Sequence, residues 1–336
     1  MIKCIKILIG WVRYLNFIST LNETASEDVK ELNNFIEETV KEDSFIGEAS
    51  LPLLRGGKRL RPLLFFVCAR TNENFSLKKM LPLAAALELI HTASLVHDDI
   101  LDQSKIRRGV FTANAKYGPQ IAVLLGDYLF AKAFQLVSEN NYGDEVALTL
   151  SKLVKDLCIG EITQDRSLFQ IPTMTEYYEK IRLKTAVFLA SCCRLGGIAA
   201  ELEQKDIDSL TNYGTNLGLA FQIIDDLLDL FGDVKVTGKA LGGDLKSGVI
   251  TLPIIRALEV SEEADILRSI IKNTDVNDSD INRAIEIMKN VNSVEYCKMR
   301  AYAHINAARI NLPKKIDKSV SITLEKIADF VIDRTW

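Results

Sequence analysis

Two copies of one acidic pattern constrain the fold of this chain more than any other feature. Each copy places two adjacent aspartates and a third three residues later inside a long apolar stretch, at 98–102 and at 225–229. If both segments are helical, the first and last aspartates of each copy lie at i and i+4 on one helix face. A carboxylate in apolar surroundings is costly unless it is paired. The pattern therefore predicts two helices whose carboxylates share a compensating cation.

Apolar residues recur at helical spacing along nearly the whole chain, and alternating runs typical of strands are scarce. This periodicity predicts an all-α fold without a sheet, in which helices over about 78–101 and 204–231 carry the two acidic patterns. The breaks between helices are short and resemble no interdomain linker. We therefore predict a single large helical domain over 27–336, preceded by an N-terminal extension or helix over 1–26.

Composition narrows the class of protein. The net charge of −4 gives no general affinity for polyanions, so we expect no nucleic-acid partner. The six cysteines lack CxxC spacing and lie mostly in apolar segments, which is typical of reduced thiols in a cytoplasmic protein. We find no run of the ~20 apolar residues that a membrane span needs. Residues 1–18 are apolar and basic, which fits a targeting peptide, a membrane-surface helix or a helix docked on the body.

The residues around the acidic patterns indicate the chemistry. Carboxylates without a set of Cys or His partners favour Mg²⁺, which typically completes its ligand shell with substrate phosphates. Two basic clusters suit a diphosphate: the segment 56–62, which contains Lys58 and Arg61, and the pair Arg107-Arg108. His91 lies about two helical turns before Asp98 and so close to the same face. Taken singly, the histidine would more often be a core residue and the basic pairs a solvated surface.

The ordered motifs resemble the trans-type polyprenyl (isoprenyl) diphosphate synthases over about residues 30–334. The motifs that carry this resemblance are Gly56-Gly57-Lys58-Arg59-Leu60-Arg61-Pro62, Leu89-Ile90-His91-Thr92, Asp98-Asp99-x-x-Asp102, Arg107-Arg108-Gly109, Gly126-Asp127-Tyr128, Lys184-Thr185-Ala186 and Phe221-Gln222-x-x-Asp225-Asp226-x-x-Asp229. Among these enzymes the chain looks most similar to the catalytic component of heptaprenyl diphosphate synthases. The resemblance implies an antiparallel helical bundle around a central cavity, the isoprenoid synthase fold, which is usually dimeric.

The resemblance also implies roles for individual residues. It implies about three Mg²⁺ ions per active site, held by Asp98, Asp102 and Asp225, with Asp99, Asp226 and Asp229 in support. The implied isopentenyl diphosphate site comprises Lys58, Arg61, His91 and Arg108. The implied allylic diphosphate site comprises Arg107, Lys184, Thr185, Gln222 and Lys239. The catalytic set is Asp98, Asp99, Asp102, Arg107, Lys184, Asp225 and Asp226.

Two features of the sequence bear on substrate and product. Many of the similar enzymes carry a lysine where this chain has Val249, so a direct phosphate contact is expected to be lost there. Lys246 is the candidate to replace that contact. Ala93 and Ser94, about one turn before Asp98, are small and leave a passage for a growing tail. We therefore expect a medium or long all-trans product of about six to ten isoprene units, suited to a quinone side chain. The alternatives are a geranylgeranyl-type short-chain synthase and a class I terpene cyclase.

The resemblance leaves the assembly open. The expected substrates are isopentenyl diphosphate and an allylic diphosphate, farnesyl or geranylgeranyl. The expected protein partner is either a second copy of this chain or a dissimilar regulatory subunit. Contact with a membrane is expected to be peripheral at most and to serve product release.

Overall fold

The computed structural model describes residues 23–55, 59–232 and 241–333, and it confirms the all-α prediction. A π-helical turn, Arg182–Ala186, joins two of the helices. The helices are α1 (Glu23–Val40), α2 (Ser44–Leu54), α3 (Leu60–Ala69), α4 (Leu77–Leu101), α5 (Ala113–Tyr117), α6 (Pro119–Glu139), α7 (Asp144–Arg166), α8 (Met174–Ile181), α9 (Val187–Ala199), α10 (Gln204–Phe231), α11 (Gly243–Lys246), α12 (Leu252–Val260), α13 (Ala264–Lys272), α14 (Asp278–Asn290), α15 (Ser293–Ile310) and α16 (Lys318–Ile332).

A short hairpin follows α4 and was not predicted. Strands β1 (Ile106–Arg107) and β2 (Val110–Phe111) pair antiparallel, with Arg107 opposite Val110. The two loop residues both have positive φ, 51° at Arg108 and 84° at Gly109. Such a two-residue turn matches the twist of paired strands. The prediction that the fold has no sheet is therefore wrong at this point, because two-residue strands are too short to show an alternating pattern.

The chain divides into two compact units. The first consists of Met1–Val154, Ser191–Asp208 and Lys315–Leu324, and the second of Lys155–Ala190, Ser209–Lys314 and Glu325–Trp336. In the first unit α4 packs along α6, and a buried cluster lies between α2, α4, α5 and α6. In the second unit α12 packs against α13, α14 and α15. A single domain over 27–336 remains a prediction.

Two helices depart from the expectation that no segment is long and apolar enough to cross a membrane. Both α4 and α6 meet that criterion by length and composition alone. The core helix of a soluble protein meets the same criterion. The most apolar window of α4 is 67% buried and that of α6 is 44% buried. Packing within the protein therefore accounts for much of the apolar composition of α4, and for less of that of α6.

Two glycines on α10 bring its backbone against that of the preceding helices in the second unit. A Cβ atom at Gly214 would lie 2.6 Å from the carbonyl oxygen of Leu189, and one at Gly218 would lie 2.4 Å from the Cα atom of Ala186. Both distances are far below van der Waals contact, so only glycine fits. Gln222 and Asp226 continue the same line of residues along α10 at intervals of four. The glycines thus set how closely these two side chains approach α8 and the π-helical turn.

We predict that Gly218→Ala destabilises the protein. The added methyl group overlaps backbone that cannot rotate away, and overpacking of this kind typically costs about 1–3 kcal/mol. Gly47→Ala in α2 is the matched control, because its Cβ would have its nearest neighbour at 3.4 Å. The control should be neutral or up to ~1 kcal/mol stabilising. Urea unfolding of the two variants measures the difference, and equal stabilities would contradict the close backbone contact.

Candidate active site

The first acidic pattern lies at the C-terminal end of α4. Asp98 is partly exposed, and Asp102, which caps the helix, is exposed. Asp99 is only 2% exposed, and its Oδ1 accepts a hydrogen bond from Nε of Arg107 at 2.7 Å. Burial raises the pKa of Asp99 above its usual value although Arg107 acts in the opposite direction. The middle aspartate is thus bound to the hairpin, whereas the outer two face outward.

The second acidic pattern, on α10, shows the same division. Asp225 is exposed and Asp226 is 3% exposed. The Asp226 carboxylate accepts hydrogen bonds from the Tyr177 hydroxyl at 2.7 Å and from Nε2 of Gln222 at 2.8 Å. Burial, with a further contribution from the charge of Asp244, raises the pKa of Asp226 to about 7. In both patterns the second aspartate therefore points into the protein and is held by protein donors.

Asp229 anchors the chain that returns after residues 233–240. Its backbone carbonyl accepts the N–H of Gly242 at 2.8 Å, and its Oδ2 accepts the N–H of Asp244 at 3.1 Å. This carboxylate is therefore engaged in holding the start of α11. The supporting role at the metal site that the resemblance implies for Asp229 remains a prediction.

Four arginines surround His91 in the first unit. Nη1 of Arg61 lies 3.2 Å from Nε2 of His91. An arginine only donates, so Nε2 accepts and the proton of the imidazole is on Nδ1. Burial, followed by the charges of Arg61, Arg108, Arg107 and Arg59, lowers the pKa of His91 well below 6.5. His91 is thus a neutral acceptor within a strongly cationic cluster.

Arg59 of this cluster has a structural role. It forms a buried ion pair with Glu88 and donates to Oδ1 of Asn33 at 2.9 Å and to the carbonyl of Leu54. Arg61, two residues later, instead contacts His91. Two arginines that are only two residues apart in the sequence therefore have different partners. Lys58, predicted for the same site, lies outside the described residues.

A second set of polar side chains lies in the second unit, on the π-helical turn. Nζ of Lys184 donates to Oε1 of Gln164 at 2.8 Å and lies 3.9 Å from a carboxylate oxygen of Glu161. The Thr185 hydroxyl donates to Oε1 of Gln222 at 2.5 Å. Glu161 and Gln164 were not predicted from the sequence. The sequence signal for them is Gly160, which is followed by Glu161 and, three residues later on the same face of α7, by Gln164.

The predicted residues that follow the second acidic pattern do not form a common cluster in the described part of the chain. Nζ of Lys246 donates to Oδ1 of Asp278 at 2.6 Å, so it is engaged elsewhere on the surface. Val249 lines a cavity of about 150 Å³ whose wall also includes Gln164 and Lys180. Lys239 lies outside the described residues.

The two predicted chain-length residues lie inside α4. Ala93 is fully buried, and Ser94 donates from its hydroxyl to the carbonyl of His91 at 2.9 Å. Both are small side chains on a helix that packs along α6. Their role in product length remains a prediction.

The exposed carboxylates of each acidic pattern suit Mg²⁺ as ligands. In the part of the chain that the structure describes, no three His, Cys, Asp or Glu side chains converge to hold a metal ion by themselves. Mg²⁺ usually binds through one or two carboxylates and keeps waters and substrate phosphates for the rest of its shell. Asp98, Asp102 and Asp225 offer oxygen donors of that kind, because each is at least partly exposed.

Comparison with known proteins decides the family. Residues 44–288 match the sequence model of the polyprenyl synthetase family. The chain belongs to this family. It is 37% identical to a short chain isoprenyl diphosphate synthase of Methanocaldococcus jannaschii, over 91% of this chain and 93% of that protein. It is also 37% identical to heptaprenyl diphosphate synthase component 2 of Geobacillus stearothermophilus, over 83% and 85%.

Solved structures agree with this membership. A decaprenyl diphosphate synthase from Rhodobacter capsulatus superposes with a TM-score of 0.87 at 33% identity, covering 95% of this chain and 99% of that one. The predicted isoprenoid synthase fold is thereby confirmed. The protein is a prenyltransferase, and Mg²⁺ is the metal that its family uses.

We predict a pH dependence of stability from His91. Its pKa in the folded protein is well below the value of about 6.5 expected in the unfolded chain. Below that pH the unfolded chain binds a proton that the folded protein does not, so the stability contributed by neutral His91 is lost as pH falls. The expected slope is at most about 1.4 kcal/mol per pH unit.

Urea unfolding between pH 5 and 7.5 measures this slope, which should decrease in His91→Asn. The unmodified protein, measured in parallel, gives the reference slope. An unchanged slope in His91→Asn would contradict the neutral state of His91.

Proposed function

We propose that this protein condenses an allylic diphosphate with successive molecules of isopentenyl diphosphate to make an all-trans polyprenyl diphosphate, in a reaction dependent on Mg²⁺. The observation that carries the proposal is the presence of two distinct sets of cationic and polar side chains that suit a diphosphate. One set comprises Arg61 and Arg108 beside neutral His91. The other comprises Lys184 and Thr185 on the π-helical turn, with Gln222 on α10.

The arginine cluster suits the substrate that is not ionised. Isopentenyl diphosphate keeps its diphosphate throughout the reaction, so its site needs fixed positive charge. Arg61 and Arg108 provide that charge, with Lys58 as a further predicted ligand. Neutral His91 holds Arg61 in place through Nε2 without adding to the repulsion among the arginines.

The second set suits the substrate whose C–O bond breaks. Arg107, Lys184, Thr185 and Gln222, together with Lys239, would bind the allylic diphosphate. Asp98, Asp102 and Asp225 would hold Mg²⁺, which when bound stabilises negative charge on the leaving diphosphate. Fixed cationic side chains contribute to the same stabilisation without reorganisation during the reaction.

The remaining steps of the condensation need no further catalytic side chain. The allylic C–O bond breaks, the double bond of isopentenyl diphosphate forms the new C–C bond, and a proton leaves the condensed intermediate. The released diphosphate is the proposed acceptor of this proton. Apolar helix surface protects the carbocation from water.

The proposed product contains about six to ten isoprene units and serves as a quinone side chain. The small side chains of Ala93 and Ser94 support this length, as do the likenesses to a heptaprenyl synthase component and to a decaprenyl synthase. A geranylgeranyl-type short-chain synthase is the second candidate. The likeness to the short chain synthase of Methanocaldococcus jannaschii favours it.

We further propose a cytoplasmic enzyme that acts as a homodimer or with a dissimilar subunit. The word component in the name of the Geobacillus stearothermophilus relative supports a second subunit. Peripheral contact with a membrane would serve release of an apolar product.

Incubation of the purified chain with farnesyl diphosphate, isopentenyl diphosphate and Mg²⁺, followed by mass spectrometry of the products, tests the proposal. We expect elongated polyprenyl diphosphates, and a loss of rate of at least about 100-fold in Asp98→Asn and in Asp225→Asn because each removes a charged ligand. Glu73→Gln, at an exposed position outside the site, is the control. Failure to elongate both alone and with a dissimilar subunit would refute the proposal.

We predict that Ala93→Tyr shortens the product to the farnesyl or geranylgeranyl range. The aromatic ring would fill space that the growing tail needs beside α4. Ala93→Ser keeps the small volume and should retain the length of the unmodified product. Circular dichroism first establishes that the tyrosine variant is folded, since Ala93 is fully buried. An unchanged product length in the folded variant would exclude this residue from length control.

A further inference from the structure

Tyr177 is a fully buried tyrosine that the proposed mechanism does not use. Its side chain is 0% exposed, and its hydroxyl donates to Oδ2 of Asp226 at 2.7 Å. Because this position is closed to bulk solvent, loss of the hydroxyl leaves Oδ2 of Asp226 without this donor. A buried polar group that loses its partner is costly, so this contact constrains the carboxylate strongly.

The hydrogen bonds continue from Asp226 to the π-helical turn in a fixed direction. Oδ1 of Asp226 accepts from Nε2 of Gln222 at 2.8 Å, and Oε1 of Gln222 accepts from the Thr185 hydroxyl at 2.5 Å. The carboxylate thus has a donor on each oxygen, from Tyr177 and from Gln222. The amide of Gln222 can therefore take only one orientation, with its oxygen toward Thr185.

The π-helical turn places both ends of this chain of hydrogen bonds on one side of the helix. Tyr177 and Thr185 are eight residues apart, which on an uninterrupted α-helix would separate them by about 80° around the axis. The turn adds one residue, with the N–H of Val187 donating to the carbonyl of Arg182, five residues back. From Tyr177 to Thr185 the helix therefore turns only as far as about seven residues of α-helix would turn it. The two side chains then differ by only about 20° around the helix axis.

Helix α10, which carries the other two groups of this chain of hydrogen bonds, also places them on one face. Asp226 and Gln222 are four residues apart on α10, and Gly218 continues the line against the backbone of Ala186. The absence of a side chain at Gly218 lets α10 approach closely enough for both hydrogen bonds to form.

We propose that Tyr177 is a positioning residue for the allylic diphosphate, acting through Asp226 on Gln222, whose amide NH2 group has a second N–H for the substrate. The inference rests on the proposed function, which assigns Gln222 and Thr185 to that substrate. With the Tyr177 hydroxyl present, Gln222 and Thr185 are held in the arrangement that the diphosphate meets. Without it, the Asp226 carboxylate rotates and the Gln222 amide loses the orientation that Asp226 and Thr185 impose on it from its two ends.

The lysine on the next turn of α8 does not duplicate this function. Nζ of Lys180 donates to the carbonyl of Ile250 at 2.9 Å, so it is engaged with the segment before α12. Its charge acts on Asp226 without a hydrogen bond to it. The Tyr177 hydroxyl is therefore the contact that fixes the orientation of Asp226 from the side of α8.

The test is steady-state kinetics of the full chain carrying Tyr177→Phe, which keeps the ring and removes only the hydroxyl. We expect kcat/KM for the allylic diphosphate to fall about tenfold, as is typical when a buried hydrogen-bonded group loses its partner. The KM for isopentenyl diphosphate should stay within about twofold, because its proposed ligands belong to the arginine cluster. A loss confined to one substrate is not expected of a purely structural role.

Tyr178→Phe is the matched control. Tyr178 is the adjacent residue of α8, and its hydroxyl accepts a hydrogen bond from Nε of Arg300 at 2.9 Å rather than contacting Asp226. Both kinetic parameters should remain within about twofold in this variant. Tyr177→Phe combined with Asp226→Asn should be no worse than Asp226→Asn alone, since the hydroxyl acts through that carboxylate.

Several results would overturn the inference. These are an unchanged kcat/KM for the allylic diphosphate in Tyr177→Phe, an equal loss for both substrates, an additive loss in the double variant, or a variant that circular dichroism shows to be unfolded. An unmodified protein that elongates normally would in each case leave the proposed function intact. An inactive unmodified protein would instead refute the proposed function on which the inference rests.

Discussion

The need to pair a buried carboxylate organises both halves of the described structure. Asp99 and Asp226 are each the second aspartate of an acidic pattern, and each is almost fully buried. Asp99 binds Arg107, which fixes the hairpin after α4, and Asp226 binds Tyr177 and Gln222, which join α8 to α10. Since a buried charge without partners is unstable, these contacts hold the helix ends in place. The neighbouring aspartates are then left facing outward, where a metal ion can reach them.

The electrostatics of the arginine cluster follow a related rule. Four arginines close together repel one another, and such a group is stable only with anionic partners or a bound anion. Arg59 and Arg107 are neutralised within the protein by Glu88 and Asp99. His91 accepts from Arg61 and stays uncharged, since burial and the surrounding cations lower its pKa. The result is local positive charge that suits a diphosphate, in a chain whose net charge is negative.

Sequence reasoning located helices and motifs well because both have short-range signals. The helix predicted over 78–101 is observed as Leu77–Leu101, and that over 204–231 as Gln204–Phe231. The hairpin at 106–111 and the π-helical turn at 182–186 were not predicted. Two-residue strands have no measurable period, and one additional residue in a helical turn barely changes the apolar pattern. Glu161 and Gln164 were missed because a polar pair on a helix is usually solvated.

The sequence by itself determined the helical fold, the acidic and basic motifs and the family, because these depend on composition, periodicity and the order of residues along the chain. The tertiary structure decided which side chain of each motif has which partner. Arg59 turns inward while Arg61 contacts His91, and Asp226 is buried while Asp225 is exposed, although each pair is nearly adjacent in sequence. Arg59 precedes α3 in a left-handed backbone conformation, with φ at 48°, whereas Arg61 lies within the helix. Asp226 lies on the line of Gly214 and Gly218, along which α10 approaches other backbone closely. Such contacts join residues far apart in the chain, so local sequence carries no record of them.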